Sequence, residues 1–156
     1  MSAGTTSEVR LPADPSYIVV AKRAAAGFAC VAGFDVEAVD DLVIAVAQAC
    51  ENAIAAAISA AGAGRGQIRL SFKLEGRRLD VQVRSFVGRV EESGEVAAAE
   101  PASRAAVQMR DQAMRDALLA HDLALRVIGL FVDDCRYRVD ERTGGLRVRL
   151  TKYRMS

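Results

Sequence analysis

Apolar residues recur at helical spacing through residues 35–61, a stretch that contains neither proline nor glycine. Intervals of three and four residues place one set on a single helix face: Leu42, Val46, Ala49, Ala53 and Ala57. Asp35 can cap the first turn, because a carboxylate accepts hydrogen bonds from unpaired backbone amides. Gln48 and Asn52 interrupt the apolar pattern and, being four residues apart, share one face. The pattern predicts a long helix whose central amide pair faces either solvent or a ligand phosphate or metal ion.

A shorter helix is predicted just before the long one. Asp14 followed by Pro15 is a helix-start signal, and Gly33 ends the apolar pattern. We predict a helix over about 15–31 with the inner positions Ile18, Val19, Ala25, Phe28 and Ala29. Ahead of it, residues 8–11 alternate and predict a short edge strand, while residues 1–7 are expected to be a frayed end.

Two pairs of alternating runs predict antiparallel hairpins. The first pair is 67–74 and 78–86, with a turn at Gly76, and the second is 135–139 and 146–153, with a glycine turn. The outward side chains of the first hairpin are interpreted as a solvated face and not as a binding patch; they are Arg69, Lys73, Asp80 and Arg84. Each hairpin presents apolar residues on its other face.

The remaining segments connect these elements. Glycines at 62, 64 and 66 predict a helix-to-strand turn; a phosphate-binding loop is the weaker alternative, because the Lys-Ser/Thr ending of a P-loop is missing. Residues 88–102 are small and acidic and predict a mobile loop or lid, and residues 103–131 recover helical periodicity. We therefore expect a single α+β domain over 1–156, a two-layer sandwich with helices on one face of a mixed, mostly antiparallel sheet.

Composition narrows the function classes. The chain is 51% apolar but only 5% aromatic, and its net charge of +1 gives no electrostatic case for nucleic acid or an anionic membrane. Residues 42–61 are long enough to span a bilayer, but their polar centre argues against it. Three dispersed cysteines suit a reducing cytoplasm, and a single histidine argues against a His/Cys metal site. A cytoplasmic protein without a secretory signal is the expectation.

Two stretches carry a resemblance to a known family. They read DDLVIAVAQACENAIAAA, within the long helix, and LALRVIGLFVDDCRYRVDERTGGLRVRLTK, near the end of the chain. Together they resemble the anti-sigma-factor serine kinases of bacterial partner-switching systems, which are small members of the GHKL (Bergerat) ATPase superfamily. The resemblance extends over about 9–153. It implies a histidine-kinase-like ATPase fold, ATP and magnesium as cofactors, and protein partners.

The resemblance also exposes departures in the long helix. The family pattern Ser-Glu-Ala-Cys-x-Asn-Ala reads Ala-Gln-Ala-Cys-Glu-Asn-Ala over residues 47–53. Gln48 stands where the family has its general base, and an uncharged amide cannot take a proton near neutral pH. Glu51 is no substitute, because it lies about 100° around the helix from Asn52. Asn52 keeps the residue type that holds magnesium in the family.

The other nucleotide motifs depart as well. The resemblance places Ser85 and Gly88 in the adenine-binding motif Asp-x-Gly-x-Gly, where no carboxylate stands here. It places residues 120–125 in the lid motif Gly-x-Gly-Leu-x-Leu, where Ala120 and Asp122 replace the two glycines and Leu123 keeps the leucine. Asp122 would repel phosphates as a like charge. The nucleotide site implied by the resemblance thus comprises Gln48, Asn52, Ser85, Gly88, Asp122 and Leu123, with Asn52 as the magnesium ligand.

Three functions follow as hypotheses. The first is an anti-sigma-factor-like regulator without kinase chemistry, which binds an alternative sigma factor, a STAS-type antagonist or both, with a homodimer as a further expectation. The second is an ATP-dependent serine/threonine kinase of such an antagonist, and the third is a scaffold in another signalling complex. His121 is interpreted as a solvent-facing residue, with a ligand contact as the alternative. Cys50 is expected to pack as a small apolar residue.

Overall fold

Five strands form one sheet in the computed structural model, which describes residues 4–62, 64–87, 125–139 and 145–155. Their spatial order is β1–β2–β3–β5–β4, and every pairing in the described ranges is antiparallel. The strands are β1 Thr5–Pro12, β2 Gly66–Glu75, β3 Arg78–Val87, β4 Asp134–Val139 and β5 Leu146–Tyr153. Both hairpins are thus confirmed.

In the part of the chain that the structure describes, two long helices lie on one face of this sheet. They are α1, Ile18–Val31, and α2, Val36–Ala61, and a short 3₁₀ turn at Pro15–Tyr17 precedes α1. α2 packs on β2, β3 and β5 as well as on α1. The predicted α+β sandwich is therefore confirmed, although the described strand pairs are all antiparallel instead of mixed.

Local signals set the ends of α2 as expected. The Ala38 N–H donates to the Asp35 carboxylate at 2.8 Å, and Gly62 ends the helix with a φ of 87°, in the left-handed region. The five residues predicted to form the inner face of α2 are fully buried. α2 is long and apolar enough to cross a membrane by length and composition, but half of that stretch is buried inside the fold, as in the core helix of a folded domain.

The inner face of α1 differs from the prediction at one position. Its buried residues are Ala21, Ala25 and Ala29, while Val19 is 55% exposed. Val19 lies two residues from Ala21, which is about 200° around the helix, so it projects away from the core. Alanines occupy the buried stripe, where α1 packs against α2.

The core fills the space between the helices and the inner face of the sheet. Phe28 of α1 stacks on Phe72 of β2 with 4.4 Å between ring centroids. Where β2 begins, it passes close to α2: a Cβ added at Gly66 would lie 2.9 Å from the Ala57 Cβ. Glycine is required at this position by the close approach of the strand to the helix, in addition to its place in the turn.

Two sequence-based expectations change at the edges of the fold, and a third lies outside the described residues. β1 begins at Thr5, so residues 5–7 pair with β2 instead of fraying. Val127 follows the apolar pattern but is 47% exposed, beside the buried Leu125 and Ile128. The loop predicted at 88–102 and most of the helical stretch at 103–131 lie outside the described residues.

The outer face of the sheet, which points away from the helices, is not uniformly solvated. Asp80 was expected there as an exposed side chain, yet it is only 7% exposed. Its carboxylate accepts a hydrogen bond from the Thr151 hydroxyl at 2.7 Å and forms ion pairs with Arg78 and Arg149. The expectation was wrong because β5 pairs with β3 and brings Thr151 opposite Asp80.

Candidate functional site

The amide pair on α2 is the centre of the candidate site. Asn52 is 5% exposed and Gln48 is half-buried, so the pair lies toward the interior and not on the solvated side of the helix. The Gln48 Nε2 donates to the Asn52 Oδ1 at 3.5 Å, a long hydrogen bond. The four-residue spacing therefore brings the two side chains together, as predicted.

This pair is chemically neutral. An amide nitrogen donates and an amide oxygen accepts, but neither takes up a proton near neutral pH. Glu51 is the adjacent carboxylate on α2, and it is exposed where Asn52 is buried. Gln48 and Asn52 can thus orient a polar atom of a ligand, but neither side chain can act as a general base.

Cys50 adds no nucleophile to this part of α2. Its thiol is fully buried, and burial, assisted by the negative charge of Glu51, raises the pKa of Cys50 to about 12. A thiol reacts as a thiolate, so Cys50 stays protonated and unreactive in the folded chain. This confirms the expectation that Cys50 packs as a small apolar side chain.

Ser85 has a structural partner on a different element. It lies near the end of β3, is 8% exposed, and its Oγ accepts a hydrogen bond from the Leu146 backbone N–H at 2.7 Å. The hydroxyl therefore ties the end of β3 to the start of β5. A carboxylate that could bind an adenine amino group is not present at this position.

The remaining residues of the implied nucleotide site lie outside the described residues. These are Gly88, Asp122 and Leu123, together with the neighbouring His121. Their roles stay predictions that follow from the resemblance alone.

Magnesium would have few ligands in the described part of the site. Mg²⁺ prefers carboxylate, phosphate and water oxygens in near-octahedral geometry. The described ranges contain no group of three or more His, Cys, Asp or Glu residues that could hold a metal ion. The Asn52 Oδ1, which would face the metal, is already in contact with the Gln48 amide nitrogen. The Gln48 and Asn52 side chains supply neither a base nor a carboxylate ligand, so a metal ion here would take only an amide oxygen from this pair.

Sequence reasoning missed a polar cluster on the outer face of the sheet. Asp80, Thr151, Arg78 and Arg149 meet there, in a shallow depression also lined by Asp134, Arg136 and Tyr153. The pattern of alternation assigned these side chains to the outer face, but it could not show that they meet. The strand order, with β5 between β3 and β4, brings them together.

Comparison with known proteins identifies the domain. The family model described as "Histidine kinase-like ATPase domain" matches residues 11–152. A protein named "Serine-protein kinase RsbW" from Listeria monocytogenes serotype 4a is 35% identical over 75 residues, which cover 48% of this chain and 46% of the relative. A protein of the same name from Bacillus pumilus is 32% identical over 76 residues, which cover 49% and 47%.

The family model and the individual relatives match different lengths of the chain. The alignments to the serine-protein kinases span about half the length of this chain and of those relatives, so their activity is not carried over by the alignment itself. The family model extends almost from end to end and agrees with the observed sheet and helix layers. The resemblance inferred from the sequence motifs is thus confirmed: the chain belongs to the family of histidine kinase-like ATPase domains.

Proposed function

We propose that this protein is an anti-sigma-factor-like regulator, which binds a sigma factor, a STAS-type antagonist or both, and has lost kinase chemistry. The neutral pair formed by Gln48 and Asn52 carries this proposal. Phosphoryl transfer to a serine is promoted by a base that accepts the hydroxyl proton, and the amide of Gln48 can orient the hydroxyl but cannot accept its proton. The family fold is retained around a centre that lacks its base.

The exposed surface of α1 supports a protein-binding role. Val19, Val20 and Val31 are 55%, 42% and 78% exposed, which is high for valine in a folded domain. Val19 and Val20 are neighbours and form one exposed apolar spot for a partner protein, whereas Val31 lies about 17 Å further along α1. A cytoplasmic location, and a homodimer as an additional assembly, belong to the same proposal.

Phosphate transfer tests the loss of chemistry. The chain is incubated with Mg²⁺, ATP labelled on the γ-phosphate and a serine-bearing STAS-type antagonist. We expect no labelled antagonist with the unmodified chain. Gln48→Glu supplies a carboxylate at the base position, and transfer by this variant would show that the base was the missing part. Transfer by the unmodified chain at a rate typical of protein kinases would refute the proposal.

Binding to a sigma factor tests the regulatory role separately. The full chain is co-expressed with the sigma factors of its own host and purified with and without Mg-ATP. We expect one sigma factor to co-purify to the same extent in both conditions, because a regulator without kinase chemistry would bind its partner independently of Mg-ATP. A chain that retains no sigma factor in any nucleotide condition would contradict this part of the proposal.

An active kinase is the second candidate. Two observations favour it: the similar proteins are named serine-protein kinases, and Asn52 retains the residue type that holds magnesium in the resembled family. Thermal unfolding with Mg-ATP separates the candidates. A ligand at 100 times its dissociation constant stabilises by about 2.7 kcal/mol, or roughly 5–10 °C for a chain of this length. A magnesium-dependent shift of that size, lost in Asn52→Ala, would favour the kinase.

A further inference from the structure

The outer face of the sheet carries a row of arginines that crosses all five strands. Each strand has an arginine that lies directly opposite an arginine of the neighbouring strand, and this holds for all four strand pairs of the sheet. From one edge of the sheet to the other, this arginine row is Arg10, Arg69, Arg84, Arg147 and Arg138. With strands about 4.8 Å apart, the row is about 19 Å long.

Such a row is unfavourable for the isolated fold, since like charges directly opposite each other on a sheet repel. A carboxylate and an aromatic ring of the same chain offset part of this repulsion. Glu8 lies 3.1 Å from Arg10 and 2.8 Å from Arg69, and the Phe86 ring lies under the guanidinium groups of Arg69 and Arg84 at 4.5 and 4.9 Å. The compensation is concentrated at the β1 side of the sheet.

The β4 side of the row differs. No carboxylate in the described ranges forms an ion pair with Arg138 or Arg147, and Arg138 is exposed. The next register row adds Arg136 and Arg149 to the same side, opposite each other. Arg136 has an 80% exposed side chain and pairs with Asp134. Arg149 pairs with Asp80, so in the described ranges Arg138 and Arg147 carry the positive charge on this side that no carboxylate offsets.

We propose that the arginine row is a docking surface for an acidic helix of a partner protein. Guanidinium groups match carboxylates with two parallel hydrogen bonds, and arginine is enriched at protein interfaces. A helix laid across the strands presents one face at positions i, i+4, i+7, i+11 and i+14, which extend over about 21 Å. This length is close to that of the row.

An extended peptide matches the row less well. Its same-side residues lie about 6.7 Å apart, so five of them extend over about 27 Å. Nucleic acid is disfavoured by the carboxylates on the same face, which include Glu8, Asp80 and Asp134, and by a chain pI near 7.7, where nucleic-acid-binding domains typically exceed about 9. A second copy of this chain is disfavoured because two arginine rows would face each other.

The inference goes beyond the proposed function, because it names the chemistry of the occupant and requires neither a sigma factor nor a nucleotide. The probe is a fluorescent 18-residue peptide of Ala, Gln and Glu, with five glutamates at i, i+4, i+7, i+11 and i+14. A second peptide of identical composition distributes its five glutamates around the helix. Fluorescence anisotropy with the full chain at low salt measures both dissociation constants.

Two charge-reversed chains complete the experiment. Arg138→Glu combined with Arg147→Glu changes the β4 side of the row, while Lys22→Glu combined with Arg23→Glu makes the same change of charge on exposed positions of α1. We expect the one-faced peptide to bind at least about fivefold more tightly than the distributed one. We expect the row variant to lose at least about tenfold in affinity and the α1 variant less than about twofold. Circular dichroism and thermal unfolding of each variant establish that the fold is intact.

Several results would overturn the proposal. They are equal binding of the two peptides, equal loss in the two variants, or no binding to the unmodified chain at low salt. A single-stranded oligonucleotide of the same charge that binds more tightly than the one-faced peptide would identify the surface as a nucleic-acid site. Sedimentation of the chain with vesicles rich in phosphatidylserine, but no peptide binding, would identify it as a membrane-binding surface.

Discussion

Asp80→Ala removes the carboxylate that joins three side chains on the outer face of the sheet. Thr151 and Asp80 are each 7% exposed, and a buried hydrogen bond to a charged group contributes about 1.5–3 kcal/mol. Arg78 and Arg149 have side chains that are 36% and 54% exposed, so each of their ion pairs is screened and contributes less than about 1 kcal/mol. The substitution should therefore destabilise the chain by about 2–4 kcal/mol.

Thermal unfolding measures this loss as a decrease in Tm of roughly 5–15 °C. Asp134→Ala is the matched control, because Asp134 lies in the same register row, opposite Thr151, and pairs with Arg136 through side chains that are 52% and 80% exposed. It should cost less than about 1 kcal/mol. Added NaCl should abolish the small effect of Asp134→Ala and leave most of the effect of Asp80→Ala. Equal decreases in Tm for the two variants would refute the assignment of Asp80 as a buried, hydrogen-bonded centre.

Three further perturbations test the helix layer, each by urea unfolding. Gly66→Ala should destabilise the fold by about 1–3 kcal/mol, because the added Cβ would lie 2.9 Å from that of Ala57. Gly27→Ala is the control: its Cβ would meet no neighbouring side chain within 4 Å, so it should stabilise the fold by up to about 1 kcal/mol. Equal effects of the two substitutions would contradict the close approach at Gly66. Above pH 9 the unfolded chain releases the Cys50 proton while the folded chain retains it up to about pH 12, so this thiol should lower the stability by about 1.4 kcal/mol per pH unit. Cys50→Ala should reduce the slope by that amount; burial also raises the pKa of Cys135, which contributes to the slope that remains. Asp35→Ala should lower the free energy of unfolding by about 1 kcal/mol, because the hydrogen bond from the Ala38 N–H is lost. An unchanged free energy of unfolding would show that the cap does not stabilise the helix.

The long helix and its amide pair were predictable because their determinants are local. Side chains four residues apart on a helix are neighbours whatever surrounds them, so the contact of Gln48 with Asn52 follows from spacing alone. The cap at Asp35 and the end at Gly62 are likewise short-range signals. That Gln48 supplies no base was predictable from residue identity, because an amide does not take up a proton near neutral pH.

The outer face of the sheet was not predictable from the sequence. Alternation with a period of two shows which face a side chain joins, but it does not show which strand lies beside it. Asp80 and Thr151 are 71 residues apart in the chain, and Ser85 and Leu146 are 61 apart, yet each pair is hydrogen-bonded. The sequence around Asp80 therefore did not indicate that this residue is buried. The sequence around Ser85 likewise did not indicate that its hydroxyl bonds to Leu146.

Local sequence patterns were enough to predict the described helices and strands, the inner face of α2 and the neighbouring amides at its centre. Helical neighbours depend only on a repeat of 3.6 residues, and the two faces of a strand only on a repeat of two. The tertiary structure alone decided the close approach at Gly66, the burial of Asp80 and the alignment of five arginines across five strands. These features depend on strand order and register, which are set when segments distant in the chain pack on one another. The arginines are individually ordinary outward residues, and only their shared register makes them one surface.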